Sequence, residues 1–417
     1  MRKLIFSLLM ITVFALPLSA QQVDLSAELR PRFENKKGYK TLLKLGEEGA
    51  SFISQRTRLN LNYQQDNFKV KISLQNVRVW GDVGTLSAQD NLNSFHEAWA
   101  QFSMSDYFDL KLGRQEIVYD NSRIFGNVGW AQQGRSHDAI IAKFKTSNNG
   151  KLDIGFALNN DSQAGVKSMY SNVAGYKAFQ YVWYHTELNN FGISILALNN
   201  GIEHLDVNND TVVSYSQTFG PRITYKKNSL SLDVSAFLQT GKVMSTPISA
   251  SYYSANINVK TTKKFNLGLG FEYLSGKDTN DSSTDLKSFN PIFGTNHKFN
   301  GWMDYFYVGN HINSVGLIDI HATVSYSKDK FTAKLVPHIF KSAANIYNGT
   351  TKMNSSLGTE IDFTLGYKVA DNIQFNAGYS QMFGTTSLEV LKGGLSNKNN
   401  SWTWFMLTFK PTFYASN

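Results

Sequence analysis

The 417-residue chain has no cysteine, which excludes a disulfide framework, a thiolate metal site, a cysteine nucleophile and a lipid anchor on an N-terminal Cys. Proline is scarce, at 7 residues. Beyond Gln21 every apolar run is broken within a few positions by a charged or amide residue, too soon for a membrane-spanning helix. Arginine is nearly missing from the later part of the chain: of ten, eight lie between Arg30 and Arg135, and Arg222 is the only one after them. What is present excludes disorder. Hydrophobic residues make up 42% and aromatics 13%, more than a solvated chain carries, and 41 basic residues against 32 acidic give +9.

The first twenty residues have the three parts of a secretory leader: basic Arg2-Lys3, an apolar stretch over 4–16, and Pro17-Leu18-Ser19-Ala20 ending in small residues. Cleavage after Ala20 is expected and removes two positive charges, leaving 39 against 32, or +7. Residues 21–417 are then read as one domain.

Past Gln21 the apolar residues alternate with polar ones in stretches of about ten, the period of a strand with two unlike faces. Phe68-Val70-Ile72-Leu74 faces away from Lys69-Lys71-Ser73-Gln75, and Leu230-Leu232-Val234-Ala236-Leu238 from Ser231-Asp233-Ser235. The same holds for Phe265-Leu267-Leu269-Phe271-Tyr273 against Asn266-Gly268-Gly270-Glu272, and for Ile361-Phe363-Leu365-Tyr367 against Glu360-Asp362-Thr364-Lys368. Short polar turns fall at Gln65-Asp66-Asn67, Ser105-Asp106, Asn148-Asn149-Gly150, Asn189-Asn190, Lys227-Asn228, Lys263-Lys264, Lys328-Asp329-Lys330 and Asp371-Asn372. Longer polar stretches lie near 35–51, 81–93, 118–136, 161–176, 200–214, 241–249, 277–312, 343–356 and 385–400. Eight turns and nine loops join eighteen strands. Even number, short turns at one end and long loops at the other predict an all-β fold, an antiparallel up-and-down barrel of the bacterial outer membrane with periplasmic termini. A sandwich of eighteen regular hairpins would be exceptional, and a propeller needs a blade repeat that is missing.

Aromatics beside the short turns, Tyr63, Phe68, Phe102, Tyr107, Phe108, Phe191, Phe265, Phe331, Phe375 and Phe409, suit a girdle at the lipid interface. The last strand, 402–413, carries Phe405, Leu407, Phe409 and Phe413 on one face, an end that barrel-assembly machinery could recognise. Pro31 and Pro411 fall in the two strands that must close the barrel, and each lacks a ladder donor, so that seam is expected to be locally weak.

A barrel this wide holds a water-filled lumen unless loops plug it, which makes transport the default function. The inward phase is basic early in the chain: Ser26-Glu28-Arg30-Arg32-Glu34, then Arg56-Arg58-Asn60-Asn62, then Lys69 and Lys71 with Arg78 above them, then Lys111 with Arg114 above it, then Lys143 and Lys145. Guanidinium groups bind carboxylates and phosphates bidentately and keep their charge, so arginines across a pore select anions. Glu28, Glu34, Glu97, Glu116 and Asp153 could offset them, and for any one arginine a structural salt bridge competes evenly with selection. Arg78 and Arg114 depart from strict alternation and need a bulge or the loop mouth to face inward. No helix or recognised fold accompanies the basic charge, which argues against nucleic-acid binding.

Leu29-Arg30-Pro31-Arg32-Phe33-Glu34, Gln55-Arg56-Thr57-Arg58-Leu59, Gln75-Asn76-Val77-Arg78-Val79-Trp80-Gly81 and Leu112-Gly113-Arg114-Gln115-Glu116 resemble the alginate-export family of outer-membrane barrels. Glu97-Ala98-Trp99 and Gly134-Arg135-Ser136-His137-Asp138 fit the same pattern. The motifs cover about the first third of the chain, and the rest matches in strand rhythm. The resemblance implies an eighteen-stranded barrel whose arginine-rich constriction passes an anionic polyuronate, with Arg30, Arg32, Arg56, Arg58, Arg78, Arg114 and Arg135 as constriction residues.

The loop at 277–312 is too aromatic to hang in water, through Phe289-Asn290-Pro291-Ile292-Phe293 and Gly301-Trp302-Met303-Asp304-Tyr305-Phe306-Tyr307, so it should fold into the lumen or across the mouth. His297, Trp302 and Tyr305 are its candidate sugar contacts, and plugging without recognition is the competing reading. The expected function is a passive, anion-preferring porin for acidic saccharides or small anions, with membrane lipid and solute as partners and no cofactor or metal. Two other classes compete. An envelope-lipid-modifying barrel enzyme needs a nucleophile, base and orienting group that no spacing nominates among His96, His137, His297, His311, His321 and His338. A structural or adhesin barrel would have a closed lumen.

Overall fold

The computed structural model describes residues 21–416 apart from 147–148, 164, 171–174, 308 and 312. The leader at 1–20 lies outside the described residues. The wall begins with β1 (Gln22–Lys37), β2 (Ala50–Gln65), β3 (Phe68–Val79), β4 (Asn93–Ser105), β5 (Phe108–Gln115), β6 (His137–Lys145), β7 (Lys151–Leu158), β8 (Ala178–Leu188) and β9 (Phe191–Leu205). It continues with β10 (Thr211–Lys227), β11 (Leu230–Val243), β12 (Ala250–Lys260), β13 (Phe265–Leu274), β14 (Leu317–Lys328), β15 (Phe331–Lys341), β16 (Ser356–Ala370), β17 (Ile373–Gly384) and β18 (Asn400–Phe409). Each strand pairs antiparallel with its sequence neighbours, and β18 returns to β1, so the sheet closes on itself.

The turns follow the residue types. Asp66, Asn189, Asn228 and Asp329 take positive φ (47°, 55°, 54° and 52°), which these short polar side chains tolerate and which tight hairpins require. At the other end β9 and β10 remain paired from Thr211↔Leu205 onward, so the loop expected at 200–214 shrinks to 206–210. The seam has the gap that the prolines foretell. Between Leu29↔Phe409 and Arg32↔Met406 no pairs form, and past Pro411 the short strand Thr412–Ala415 re-engages β1 with a register shift.

The wall is inverted relative to a water-soluble protein. Its apolar phase is exposed on the outside, with Leu74 at 41%, Leu238 at 43% and Leu269 at 64%, while polar residues of the opposite phase are buried inside, among them Ser73, Gln75, Ser235 and Glu272. Only hydrocarbon makes that arrangement favourable. Phe68, Phe102, Tyr107, Phe191, Phe265 and Phe331 stand exposed beside the short turns.

The hydrophobic core lies inside the barrel, where two loops that fold inward, 116–136 and 275–316, pack against apolar and aromatic residues of the inner wall. Phe125 and Phe293 bridge the loops as a single parallel rung and stack at 5.4 Å, with Phe179, Tyr181, Tyr176 and His137 of the adjoining wall and loop around them. Met303, Tyr305 and Phe306 are buried, and a helix, α1 (Thr386–Lys392), caps the long-loop end. The aromatic 275–316 segment therefore sits in the lumen, joined there by a second plug element at 116–136.

Candidate functional site

The two-residue period turns Glu28, Arg30, Arg32 and Glu34 of β1 and Ser54, Arg56 and Arg58 of β2 into the lumen. Arg30 and Arg56 are cross-strand partners, as are Glu28 and Arg58. Such neighbouring like charges need acceptors. Two carboxylates serve: Arg56 pairs with Glu28, and Arg32 with Glu34 at 3.0 Å. Lys36 and Lys410 also reach Glu34 (3.2 Å) and Glu28 (3.4 Å), so four guanidinium and two ammonium groups face two carboxylates and the patch is net positive.

Arg58 donates to Gln75 of β3 at 3.0 Å, and most of the other donors go to the 116–136 loop. Arg30 donates to the carbonyls of Gly129 (2.8 Å), Trp130 (3.1 Å) and Ala131 (3.1 Å) and to the side chain of Gln132 (3.0 Å). Arg32 donates to Trp130 O at 2.7 Å, and Arg58 to Gln133 O at 3.3 Å. Trp130 is clamped between the Arg32 guanidinium (4.1 Å) and His297 (5.1 Å), with the edges of Trp402 and Trp404 against it.

A second stretch of the wall, on β13, β14 and β16, is acidic and holds the plug by its donors. Arg123 of the 116–136 loop, 2% exposed, donates to Glu272 of β13 at 2.9 Å and to Asn300 at 2.9 Å. Asn300 donates in turn to Glu272 and to Asp319 of β14. The backbone N–H groups of Trp302 and Met303 reach Asp362 (3.2 Å) and Glu360 (2.7 Å) of β16. His338 lies between Asp319 (2.9 Å) and Asp362 (3.6 Å), and His321 beside Asp319, so both histidines are polar wall residues of this network.

Two cavities remain along the basic wall, one on each side of 129–133. A cavity of about 450 Å³ toward the long loops is lined by Arg32, Lys36, Tyr39, Phe52, Trp130 and Tyr307 among others. One of about 480 Å³ toward the short turns is lined by Glu28, Arg30, Arg56, Gly129, Gln374 and Lys410 among others. In the upper cavity Lys36 lies over the Tyr39 ring at 4.1 Å and Lys40 over Tyr307 at 5.3 Å. Burial, and then the adjacent Asp304, hold the Tyr39 hydroxyl well above its usual range, so it donates to that carboxylate.

The other anticipated residues divide. Lys71 pairs with Glu97, and Lys111 lies 3.9 Å over Trp99, both in the lumen below the arginines. Lys143 pairs with Asp153, and Lys69 is exposed near the short-turn end. Arg114 faces outward, sharing the phase of Leu112 and pairing with Asp138 at 2.9 Å. Arg78 shares the phase of Ile72 and Leu74 and pairs with Asp90, and it stands at the rim of the upper cavity, among its lining residues. The bulge near β4 that could have turned a side chain inward instead brings in His96 together with Glu97. Arg135 ties the plug loops, donating to Gly294 O at 3.0 Å, and burial lowers its pKa. His297 lines the upper cavity and contacts Asp304 at 2.8 Å. The Trp302 ring lies 5.5 Å from Lys334, whereas Tyr305 is wholly buried and donates to Gly38 O and Thr41 O. Trp130, Arg123, Asn300 and the acidic row were not anticipated. The polar phase at Glu272, Glu360 and Asp362, visible in the sequence, was the available signal.

An inverted 18-stranded barrel with inward loops and polar cavities in its lumen defines an outer-membrane porin. The alginate export family model matches residues 21–385, and the chain belongs to that family. A search of curated proteins found no match. Solved structures with the same fold include OccK9 (OpdG) of Pseudomonas aeruginosa, with TM-score 0.62 and 11% identity over 94% of this chain and 98% of that one. OpdK of the same species in complex with vanillate gives 0.60 and 12% over 94% and 99%, as does a BenF-like porin from Pseudomonas fluorescens Pf-5.

Proposed function

We propose that the chain is a passive, anion-preferring porin for acidic saccharides, uronate-containing ones above all, or other small carboxylates. The observation that carries this reading is the group Arg30, Arg32, Arg56 and Arg58, net positive against its two carboxylates and in contact with both cavities. A low-dielectric wall focuses the field of such a patch, raising anion concentration at the mouth and in the lumen. Lys36 and Lys40 on aromatic rings in the upper cavity combine a carboxylate partner with an apolar face for a sugar ring. The fold likeness to OpdK, whose structure holds the carboxylate vanillate, supports a carboxylate solute class.

The test is a planar bilayer holding the purified protein across a salt gradient, with the reversal potential read before and after adding trigalacturonate. Anion-selective current that the oligomer reduces supports the reading. A silent bilayer, with or without solute, would favour the closed structural barrel, for which the packed plug is the motivating observation.

A further inference from the structure

Residues 127–135 form a closed loop within the plug. Arg135 N–H donates to Asn127 O at 2.7 Å and so pinches its neck. The neck is fixed to the rest of the plug: Val128 N–H donates to Thr295 Oγ1 at 3.1 Å and Arg135 to Gly294 O. The tip, 129–133, is held differently. Its carbonyls accept from Arg30, Arg32, Arg56 and Arg58, and Gln75 adds a donor to Gln133 O at 3.1 Å.

Both ends of the tip are conformationally special. Val128 sits at φ 51°, a left-handed conformation that a β-branched side chain resists, so the docked tip stores backbone strain. Gly134, at φ 67°, passes so close to His96 and Arg58 that a Cβ there would come within 2.8 and 3.0 Å of them. The tip also forms the partition between the two cavities, the upper one touching Trp130, Ala131, Gln132 and Gln133 and the lower one Gly129.

We propose that the 129–133 tip is an internal competitor that occupies the carboxylate sites of the arginine group, and that a solute bearing several carboxylates displaces it and joins the two cavities. The inference rests on the porin reading above and adds the solute property that opens the path. Guanidinium groups bond amide carbonyls well but carboxylates better, because a carboxylate adds the opposite charge and two oxygens that match the guanidinium fork bidentately. Arg30 and Arg32, like Arg56 and Arg58, are two residues apart on one strand, about 7 Å. One carboxylate can replace one or two carbonyls, and the others then keep the tip in place at high effective concentration. Linked carboxylates replace them together, so oligo-anions open the partition where monocarboxylates do not.

The chain has no cysteine, so a single Ser54→Cys is a clean reporter. Ser54 is 7% exposed and accepts from Gln132 Nε2 at 3.0 Å, directly under the tip. In the detergent-purified full chain, the labelling rate of S54C by an uncharged maleimide should rise about tenfold with trigalacturonate, and stay unchanged with galacturonate monomer at equal carboxylate concentration or with maltotriose. Equal acceleration by the monomer would overturn the need for linked carboxylates. No acceleration by the trimer, in a protein whose bilayer current is anion-selective and reduced by that trimer, would overturn displacement while leaving the porin reading intact; a cation-selective current would overturn that reading itself. A second variant checks the clamp: adding Trp130→Ala to S54C should make labelling fast without solute, and slow labelling there would show that the tip is not held as described.

Discussion

The two walls of the lumen grip the same plug in opposite ways. The basic wall donates from arginines to backbone carbonyls of 129–133, neutral acceptors for which a solute anion can substitute. The acidic wall accepts from Arg123, Asn300 and two backbone N–H groups, and its central contact is a buried ion pair of Arg123 with Glu272, 2% and 4% exposed. Removing either partner strands a charge away from water. One wall is therefore exchangeable and the other is an anchor, although both are polar and both are closed by the plug.

Breaking the anchor should have the largest effect. Glu272→Gln keeps the shape but leaves Arg123 without its carboxylate, and should destabilise plug docking by about 3 kcal/mol. The expected result is a larger, noisier single-channel conductance and proteolytic sensitivity in 116–136 and 275–316, with the barrel itself intact by circular dichroism. An unchanged conductance would break the distinction between the walls.

On the exchangeable side, Arg56→Ala with Arg58→Ala removes two of the four guanidinium groups. The reversal potential should move toward zero, because half of the guanidinium charge facing Glu28 and Glu34 is then gone. A retained anion preference would assign these arginines to structure alone.

His311 sharpens the comparison through pH. Burial, and then Lys392 of α1, lower its pKa from 6.5 to about 3, while it contacts Gly316 O at 2.9 Å in the 275–316 loop. As pH falls through 6.5 the displaced loop takes up a proton that the docked loop refuses. His311 therefore contributes its full docking stability above 6.5 and loses it progressively toward pH 3. Conductance should rise between pH 6.5 and 4, and His311→Asn should flatten that rise.

The smallest effect is expected at Val128→Gly, which relieves the φ 51° strain. It should stabilise the docked tip by about 1 kcal/mol and slow S54C labelling by trigalacturonate.

Much of this was legible in the residues. Alternation at Phe68-Val70-Ile72-Leu74 or Ile361-Phe363-Leu365 fixes which side chains face lipid, because successive side chains of a strand point to opposite faces. Asn and Asp pairs in the turns mark the short-turn end for a reason equally local, their tolerance of positive φ. The same rule turned Arg30, Arg32, Arg56 and Arg58 inward, and strict alternation puts Arg114 outward with Leu112, while Arg78, on the phase of Leu74, reaches the upper cavity only at its rim. The aromatic content of 275–316 announced burial but not its neighbours, and 116–136 carried no comparable signal, so its central position went unread.

The sequence by itself determined the number of strands, their phase, and a lumen basic along one wall, since each follows from the geometry of a few consecutive residues. The tertiary structure decided what those charges hold. The acceptors of Arg30 lie about a hundred positions away and are backbone carbonyls, a group that every residue carries, so no residue type marks them, and only the packing of Trp130, Phe125 and Phe293 inside the barrel brings them to the wall.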